Sequence, residues 1–557
     1  MSDGRVADLR RLLPGRRDYA GLSRSWRGDL AAGVTVAVVA LPLALAFGVA
    51  SGLGAEAGIV TAIVAGIVAG IFGGSHLQVS GPTGAMTIVL VPVVAKFGAS
   101  GVLVVALLAG ALLVVAGGLR LGRYAGVLPW PVIEGFTVGI ALLIFLQEIP
   151  AALGVPKPDG TNTAAVAYRA VAEWIGGSFD ALAVVAVVVV VMVVVPRLHR
   201  SLPASLIAVA AATLAARLAD LPVARIGTIP AGLPSPSLPN IEITHLPELL
   251  TAVMAVAALA ALESLLSAKV ADGLADSEGH DPDRELVGQG LANIAVSLFG
   301  GMPATGAIAR TAVNVRAGAR TRISAIAHGL VLVAVVFALA PLVADIPLAA
   351  LAGVLAVTAV RMVELGTTAR ILRSSRGDAA LLLTTAAATV AFNLVIAVGI
   401  GVALAAILAL RAVADASAFE REPPSTTIDG ALEHALMHEH IVTYRLDGSL
   451  FFGAAQRFLL ELTAIGDVEV VILRLDGLRV LDSTGAQALA DLITHLEHRH
   501  ITVLLTSLRS AHRRLLEHAG ALDALAHDAH LSPSVEAALD HAHRHVLRNR
   551  EVALSGS

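Results

Sequence analysis

Hydrophobic and polar positions in this chain fall into long apolar blocks separated by short charged or proline-rich breaks. Most blocks run roughly 17–25 residues, the length a helix needs to cross about 30 Å of hydrocarbon, whereas a membrane barrel would alternate in weaker segments. The blocks predict fourteen helical segments at about 29–50, 56–74, 83–96, 99–120, 129–151, 178–196, 203–220, 246–270, 285–301, 305–316, 321–343, 347–362, 377–392 and 393–411. The third and tenth are too short to cross alone. Beyond about residue 415 the pattern changes. Val468 to Leu475 and Ile501 to Leu505 read as strands, Ala486 to His498 and Ala511 to Ala519 as helices, and Asp482-Ser483-Thr484-Gly485 as a turn with a helix N-cap. Alternating strands and helices predict a small α/β layer.

Two of the breaks echo each other about 220 residues apart. The first reads Phe72-Gly73-Gly74, then Gln78-Val79-Ser80-Gly81-Pro82-Thr83-Gly84-Ala85-Met86; the second reads Phe299-Gly300-Gly301-Met302-Pro303-Ala304-Thr305-Gly306-Ala307. The echo continues in Leu128-Pro129 with Gly135 and Ile346-Pro347 with Gly353. Fourteen segments divide into two sevens, and an odd unit repeated once is inverted across the membrane. Glycine and proline interrupting apolar segments at matching positions of two halves point to a binding site near the midplane.

Composition agrees. The chain is 56% hydrophobic and 15% charged, against roughly 45–50% and 25% in soluble domains. Threading it from a cytoplasmic N-terminus gathers most loop arginines and lysines on one side, from Arg120 and Arg123 through Arg316, Arg320 and Arg322 to Arg411; Lys96, Lys157, Arg169 and Arg225 fall on the other. Both termini are expected in the cytoplasm of a multi-pass plasma (inner) membrane protein. The first long apolar run is a full span, so the arginine-rich stretch before it reads as a cytoplasmic leader and not as a signal peptide. Cysteine is absent, which removes thiol chemistry and disulfides. No nucleophile–base set, metal-ligand spacing or phosphate loop argues for an enzyme, a cofactor or a bound metal. The loop arginines do not suggest nucleic acid, and the histidines near the C-terminus (His518, His527, His530, His541, His543, His545) read as a solvated helical face.

Half-helices entering after Pro82 and after Pro303 would run in opposite directions with facing N-termini, each carrying unpaired N–H groups and about half a positive charge, so the gap favours an anion. Ser80, Thr83, Thr87 and Thr305 offer hydroxyls there, and Gly84, Ala85, Gly306 and Ala307 let a ligand approach the backbone. Glu134, Glu148, Glu263 and Arg310 are the ionisable residues well inside spans, functional candidates because a buried charge is costly unless paired or hydrated. Arg310 adds a full positive charge and a forked donor set. Glu263, in the eighth span, is a candidate for neutralising Arg310 when the site is empty or for taking up a proton when an anion arrives. The structural alternative is a permanent ion pair locking two helices. Glu134 and Glu148 sit near span ends, within reach of water.

At these residues the chain resembles the SulP family of anion transporters, whose animal members include prestin. The resemblance rests on Gly28-Asp29-Leu30-Ala31-Ala32-Gly33-Val34-Thr35, Leu41-Pro42-Leu43-Ala44-Leu45-Ala46-Phe47, Gly81-Pro82-Thr83-Gly84, Glu285-Leu286-Val287-Gly288-Gln289-Gly290-Leu291-Ala292-Asn293, and a C-terminal domain similar to a STAS module. It implies a core domain (spans 1–4 and 8–11) moving elevator-fashion against a gate domain (spans 5–7 and 12–14), usually in a homodimer. Sodium-dependent bicarbonate transporters of this family hold sodium with an Asp and a Thr in span 8 and small or hydroxyl residues in span 10. This chain has Glu263 and Ser267, then Ile308 and Arg310, a pattern that resembles the sulfate transporters. Ser483 matches the serine phosphorylated in soluble STAS proteins, and a cytoplasmic regulator there is expected; capping alone is the structural alternative.

The expected organisation is an N-terminal segment at 1–28, a transport domain at 29–414, a polar linker at 415–435, a STAS domain at 436–546 and a tail at 547–557. The expected partners are an inorganic anion, membrane lipid and a second copy of the chain. The expected activity is uptake of an oxyanion, sulfate first, by proton symport or anion exchange. Sodium–bicarbonate symport, an anion channel and a membrane sensor signalling through STAS are the alternatives.

Overall fold

The computed structural model describes residues 12–19, 22–123, 129–160, 162–199, 202–227, 232–239, 246–275, 279–392, 394–415, 418–422, 440–450 and 468–555. The chain divides into two compact units, Met1–Val402 and Ala403–Ser557.

The first unit begins with a 3-10 turn at Arg16–Tyr19, followed by α1 (Leu22–Ser51), α2 (Ala55–Phe72), β1 (Ser80–Gly81), α3 (Gly84–Gly118), α4 (Trp130–Gln147), α5 (Ile149–Leu153), α6 (Thr163–Trp174), α7 (Asp180–Leu198) and α8 (Ala204–Leu218). It continues with α9 (Leu246–Leu274), α10 (Pro282–Leu298), β2 (Thr305–Gly306), α11 (Ile308–Arg316), α12 (Ile323–Ala344), α13 (Leu348–Met362), α14 (Leu365–Ser374), α15 (Arg376–Ala391) and the start of α16 (Leu394–Asp415). Nine helical stretches among the described residues are long and apolar enough to cross a membrane. Every one of the fourteen expected segments coincides with a helix or part of one. The third and fourth share α3, which breaks at Gly98, where φ is 65° and ψ is −165°; a side chain is strained there, and glycine is not. The amphipathic helices α6 and α14 were not among the expected segments. Both are short and carry only a narrow apolar stripe; in α14 Ile371 is buried while Arg370 and Arg373 are exposed.

With lipid outside, helices associate through close packing and not through expulsion of water, so small residues line the contacts. One close crossing joins the two halves of the chain. A Cβ on Gly110 of α3 would lie 2.6 Å from the Gly290 carbonyl of α10, and a Cβ on Gly290 would lie 2.6 Å from the Gly110 carbonyl. The second echo has a backbone counterpart as well. Pro129 caps α4 at φ −65°, ψ 138°, and Pro347 caps α13 at φ −65°, ψ 137°; Leu128 lies outside the described residues.

The second unit takes the end of α16, then β3 (Ala418–Glu422), β4 (Ile441–Leu450), β5 (Val470–Arg474), β6 (Leu478–Leu481), α17 (Ser483–His498), β7 (Thr502–Thr506), α18 (Ser510–His518), β8 (Leu531–Ser532) and α19 (Val535–Ser555). The sheet runs β3-β4-β5-β7-β8, with β6 pairing β4. Only β3 is antiparallel to its neighbour. Side chains of β5 alternate: Val471 and Leu473 join the core under α17, while Val470 and Ile472 pack beneath α19. That is the period of two of a strand covered on both faces.

Two expectations are corrected in this unit. Residues 418–422, read as part of a polar linker, form a strand that pairs antiparallel with β4 from Ala418 opposite Asp447 to Glu422 opposite Thr443, so their polarity marks an edge strand. The histidines do not form a solvated face: His518 and His527 are exposed, but His530 is buried, stacked edge-on to the His541 ring at 5.4 Å, and His545 lies 3.2 Å from the Thr502 hydroxyl. Burial, with the neighbouring His541, His545 and His527, holds His530 down to about 4.

Candidate functional site

The echoed breaks meet. Ser80 pairs with Gly306 and Gly81 with Thr305 in a two-residue antiparallel ladder, and the Ala307 N–H donates to the Val79 carbonyl at 2.9 Å. Because the strands are antiparallel, the chain leaves them in opposite directions into α3 and α11. The helix starts therefore lie against one turn, where the first N–H groups of each helix have no partner within it. The resulting positive ends reinforce each other and favour negative charge between them.

Arg310 and Glu263 approach that turn from different helices. Arg310, 2% exposed, sits in the first turn of α11; its Nη2 donates to the Pro82 carbonyl at 3.0 Å, and its Nη1 has no hydrogen-bond partner among the described residues. Gly81 is required beside it, since a Cβ there would collide with Nη1. Glu263 of α9 is half-buried and accepts a hydrogen bond from the Thr83 hydroxyl at 2.9 Å. Among the described residues Glu263 and Arg310 form no direct ion pair, which leaves an arginine donor available at the meeting point of two helix N-termini.

The expected site residues divide by orientation. Thr83 is the cap residue of α3, and its hydroxyl turns to Glu263 instead of capping. Gly84 and Ala85 open α3; a Cβ on Gly84 would strike the Ile144 side chain. Ala307 caps α11. Ser80 and Thr305 face away from the gap: Ser80 accepts from Gln289 Nε2 at 2.6 Å, and the Thr305 hydroxyl lies 3.0 Å from that of Ser264. The Gly306 N–H donates to the Ser264 hydroxyl at 2.9 Å. Ser267 lies 2.9 Å from the Thr311 hydroxyl, which itself accepts from the Val79 N–H at 3.1 Å; its contact with the turn is indirect. Thr87 donates back to the Thr83 carbonyl. Glu134 and Glu148, expected within reach of water, are buried at 7% and 6% exposure, and Glu134 accepts from Thr368 at 2.6 Å. Ser483 is the exposed first residue of α17, and the capping is done by Asp482, which accepts from the Gly485 N–H at 2.7 Å.

A buried stripe on α10 supports the turn from behind and was not singled out as functional. Glu285 accepts from the Gly74 and Ser75 N–H groups at 2.8 and 3.0 Å, and from Gln78 and Gln289 side chains at 2.7 and 2.9 Å. Asn293 donates to the Ala304 carbonyl and accepts from the Ala304 N–H. The spacing i, i+4, i+8 puts Glu285, Gln289 and Asn293 on one helix face, a signal present in the sequence as polar residues at helical period inside an apolar run. Outside the spans, Asp18 receives both guanidinium nitrogens of Arg284 at 2.8 and 2.9 Å and Arg322 Nη2 at 3.2 Å. Partial burial would raise the Asp18 carboxyl, but its hydrogen bonds to Arg284 and Gly15 and the charges of both arginines outweigh this and hold it at about 2.

Two opposed broken segments inside a bundle of apolar helices, followed in the chain by a parallel-sheet domain, mark a multi-pass integral membrane protein with an additional α/β module. The chain belongs to the sulfate permease family, whose model matches residues 26–385, and a STAS domain model matches residues 435–538. It is 33% identical over 509 residues to a putative sulfate transporter, YvdB, of Bacillus subtilis, covering 89% of this chain and 94% of that one. It is 32% identical over 515 residues to the bicarbonate transporter BicA of Synechocystis, covering 89% and 90%. The solved transmembrane domain of a cyanobacterial BicA matches 68% of this chain and 98% of its own at a TM-score of 0.63 and 32% identity. The anion transporter SLC26A9 shares the fold, with a TM-score of 0.80 over 98% of this chain at 16% identity.

Proposed function

We propose that this chain is a secondary active transporter of inorganic oxyanions, sulfate before bicarbonate, in the inner membrane with both termini cytoplasmic. One observation carries the reading: a buried guanidinium with a free donor edge stands where two helix N-termini converge. A planar fork of N–H groups matches two oxygens of an oxyanion, and the sulfate-transporter relative supports that order. Pro82, Thr83 and Gly84 line the anion's approach with Ala85, Ala307 and Arg310. Ser80, Thr305, Gly306 and Ser267 hold the turn. Glu263, bound to Thr83, is the coupling group: binding of an anion next to its carboxylate is helped by uptake of a proton, giving proton symport; without that step the same site supports exchange. Transport moves a core of spans 1–4 and 8–11 against a gate of spans 5–7 and 12–14, in a homodimer, and Ser483 is a site for regulatory phosphorylation.

Sodium–bicarbonate symport is the second reading, favoured by the BicA relatives and opposed by the positive charge of Arg310. Uptake of labelled sulfate and bicarbonate into proteoliposomes, under imposed pH or sodium gradients, tests both. Arg310→Ala should abolish saturable sulfate uptake, and Glu263→Gln should remove its dependence on the pH gradient. Unchanged kinetics in both variants, or uptake driven only by sodium, rules the reading out.

A further inference from the structure

The STAS unit contains an open pocket of about 700 Å³ that the transport reading does not use. It forms where β4 changes partners. The first half of β4 pairs with β5 and the second half with β6, with a register shift between Gly448 and Ser449, and Gly448 takes a φ of 96°. The pocket lies beyond the carboxyl ends of β5 and β7, the side of a parallel sheet on which ligands bind where strand order switches.

Its chemistry is basic. Arg445, Arg479 and Arg509 line it, from β4, from β6 and from the residue capping α18. Two carboxylates are also present, but each has its own cation: Asp447 lies 3.2 Å from Arg445 Nε, and Asp476 lies 3.0 Å from Arg474 Nη2. Arg509 donates from Nη2 to the Asp476 carbonyl at 3.0 Å, which holds the guanidinium in place without neutralising it. Arg479 is exposed and makes no hydrogen bond or ion pair among the described residues. The pocket therefore keeps two unneutralised guanidiniums, with Ser449 of β4 also lining it.

Val413 also lines the pocket. It belongs to α16, the helix that carries the final apolar stretch, and stands two residues beyond Arg411, where the sequence pattern ends the last span, so the pocket wall lies close to where the chain leaves the apolar layer. Phosphate groups are concentrated at that depth of a bilayer, and each basic residue close to an anionic surface adds to its attraction. We propose that this pocket binds a phosphate-bearing anion through Arg479 and Arg509, and that the ligand is the headgroup of an anionic phospholipid. Its occupancy ties the STAS unit to the composition of the inner leaflet. The proposal is independent of which anion the membrane unit carries.

The test uses the full-length protein in nanodiscs of phosphatidylcholine with phosphatidylglycerol, read by native mass spectrometry of retained lipid. The wild-type chain should retain phosphatidylglycerol in preference to phosphatidylcholine. Arg479→Ala and Arg509→Ala should each weaken that retention roughly fivefold, and the double variant more. Arg479→Lys should keep most of it, and Arg513→Ala, which removes an exposed arginine already paired with Glu517, should leave it unchanged. Melting by circular dichroism confirms that each variant is folded. A second arm gives the protein inorganic phosphate in phosphatidylcholine alone. A phosphate adduct lost in the double variant, with lipid retention indifferent to it, keeps the site but overturns the lipid as its source. Retention and phosphate binding both unmoved in the folded double variant overturn the proposal.

Discussion

The stretch from Phe72 to Phe97 and the stretch from Leu298 to Arg316 have the same parts in the same order: a helix end, a glycine pair, a two-residue strand and a new helix. Their chemistry differs. α3 opens with Gly84, Ala85 and Met86, and contributes backbone. α11 opens with Ile308 and Ala309 but then places Arg310, Thr311 and Asn314, all buried, toward the first stretch. Arg310 donates to the Pro82 carbonyl, Thr311 accepts from the Val79 N–H, and Asn314 donates to the Leu77 carbonyl at 2.8 Å. The supporting helices are unequal in the same sense. From α2, among the described residues, only Thr61 hydrogen-bonds the second stretch, through both the N–H and the carbonyl of Met302, whereas α10 holds both stretches through Glu285, Gln289 and Asn293. An inverted repeat thus keeps its backbone symmetry while the second copy supplies most of the polar side chains that hold the two stretches together. One fixed charge, on Arg310, then stands where the two halves meet.

The largest expected effect removes that support. Glu285→Ala leaves two buried N–H groups and two side-chain amides without their acceptor, at about 1–3 kcal/mol for each unsatisfied group. Loss of monodisperse protein in size-exclusion chromatography and of a cooperative melt in detergent is expected. Thr61→Val, on the supposedly lesser side, should fold and melt only a few degrees lower. Equal damage from the two would show that the copies share the load evenly.

The membrane pattern, the echo and the antiparallel meeting of two half-helices were legible because each rests on a local rule: span length, glycine and proline in apolar runs, and the parity of seven. Arg310 and Glu263 stood out because charge inside a span is rare. What the sequence could not assign was direction. Ser80, Thr305 and Ser267 have hydroxyls suited to a ligand, yet all three point into packed neighbours, and orientation at a two-residue strand depends on a register fixed by contacts more than 200 residues apart. The α10 stripe is visible in the sequence as polar residues at helical period, but its meaning depends on the Gly74–Ser75 loop beside it. The polar stretch 418–422 misled for a related reason, since an edge strand and a linker share a composition.

A matched pair of glycine substitutions sharpens the contrast. Gly81→Ala drives a methyl into Arg310 Nη1, and Gly306→Ala drives one into Gln78 Nε2. The first should raise KM for the transported anion by roughly tenfold or more with the fold retained, because about 1.4 kcal/mol of lost binding is a factor of ten. The second should lower thermal stability with KM little changed in the protein that remains. Reversed outcomes would place the anion contact on the second stretch's backbone instead of at Arg310. A smaller effect is expected from Ser267→Ala. It removes one buried hydroxyl partner of Thr311, at about 1–2 kcal/mol of stability, and should leave the pH dependence of uptake as it was, since Glu263 and not Ser267 touches Thr83. A shifted pH profile would return Ser267 to the coupling step.

The smallest effect concerns the ends of the same helices. Asp18 joins Arg284, at the start of α10, to Arg322, whose Nη1 donates to the Gly70, Ile71 and Gly73 carbonyls at the end of α2. This ties the support helix of one copy to that of the other outside the apolar layer. The Asp18 carboxyl is lowered from 3.8 to about 2, so its contribution is complete above the unfolded value and is lost as pH falls through the folded one. Asp18→Asn should therefore cost about 1 kcal/mol at neutral pH, measured as a lower melting temperature. The difference from wild type should stay constant down to about pH 4 and close as pH approaches 2. A difference that instead disappears near neutral pH would mean that the carboxylate is not held by the two arginines and that α2 and α10 are joined only through the buried stripe.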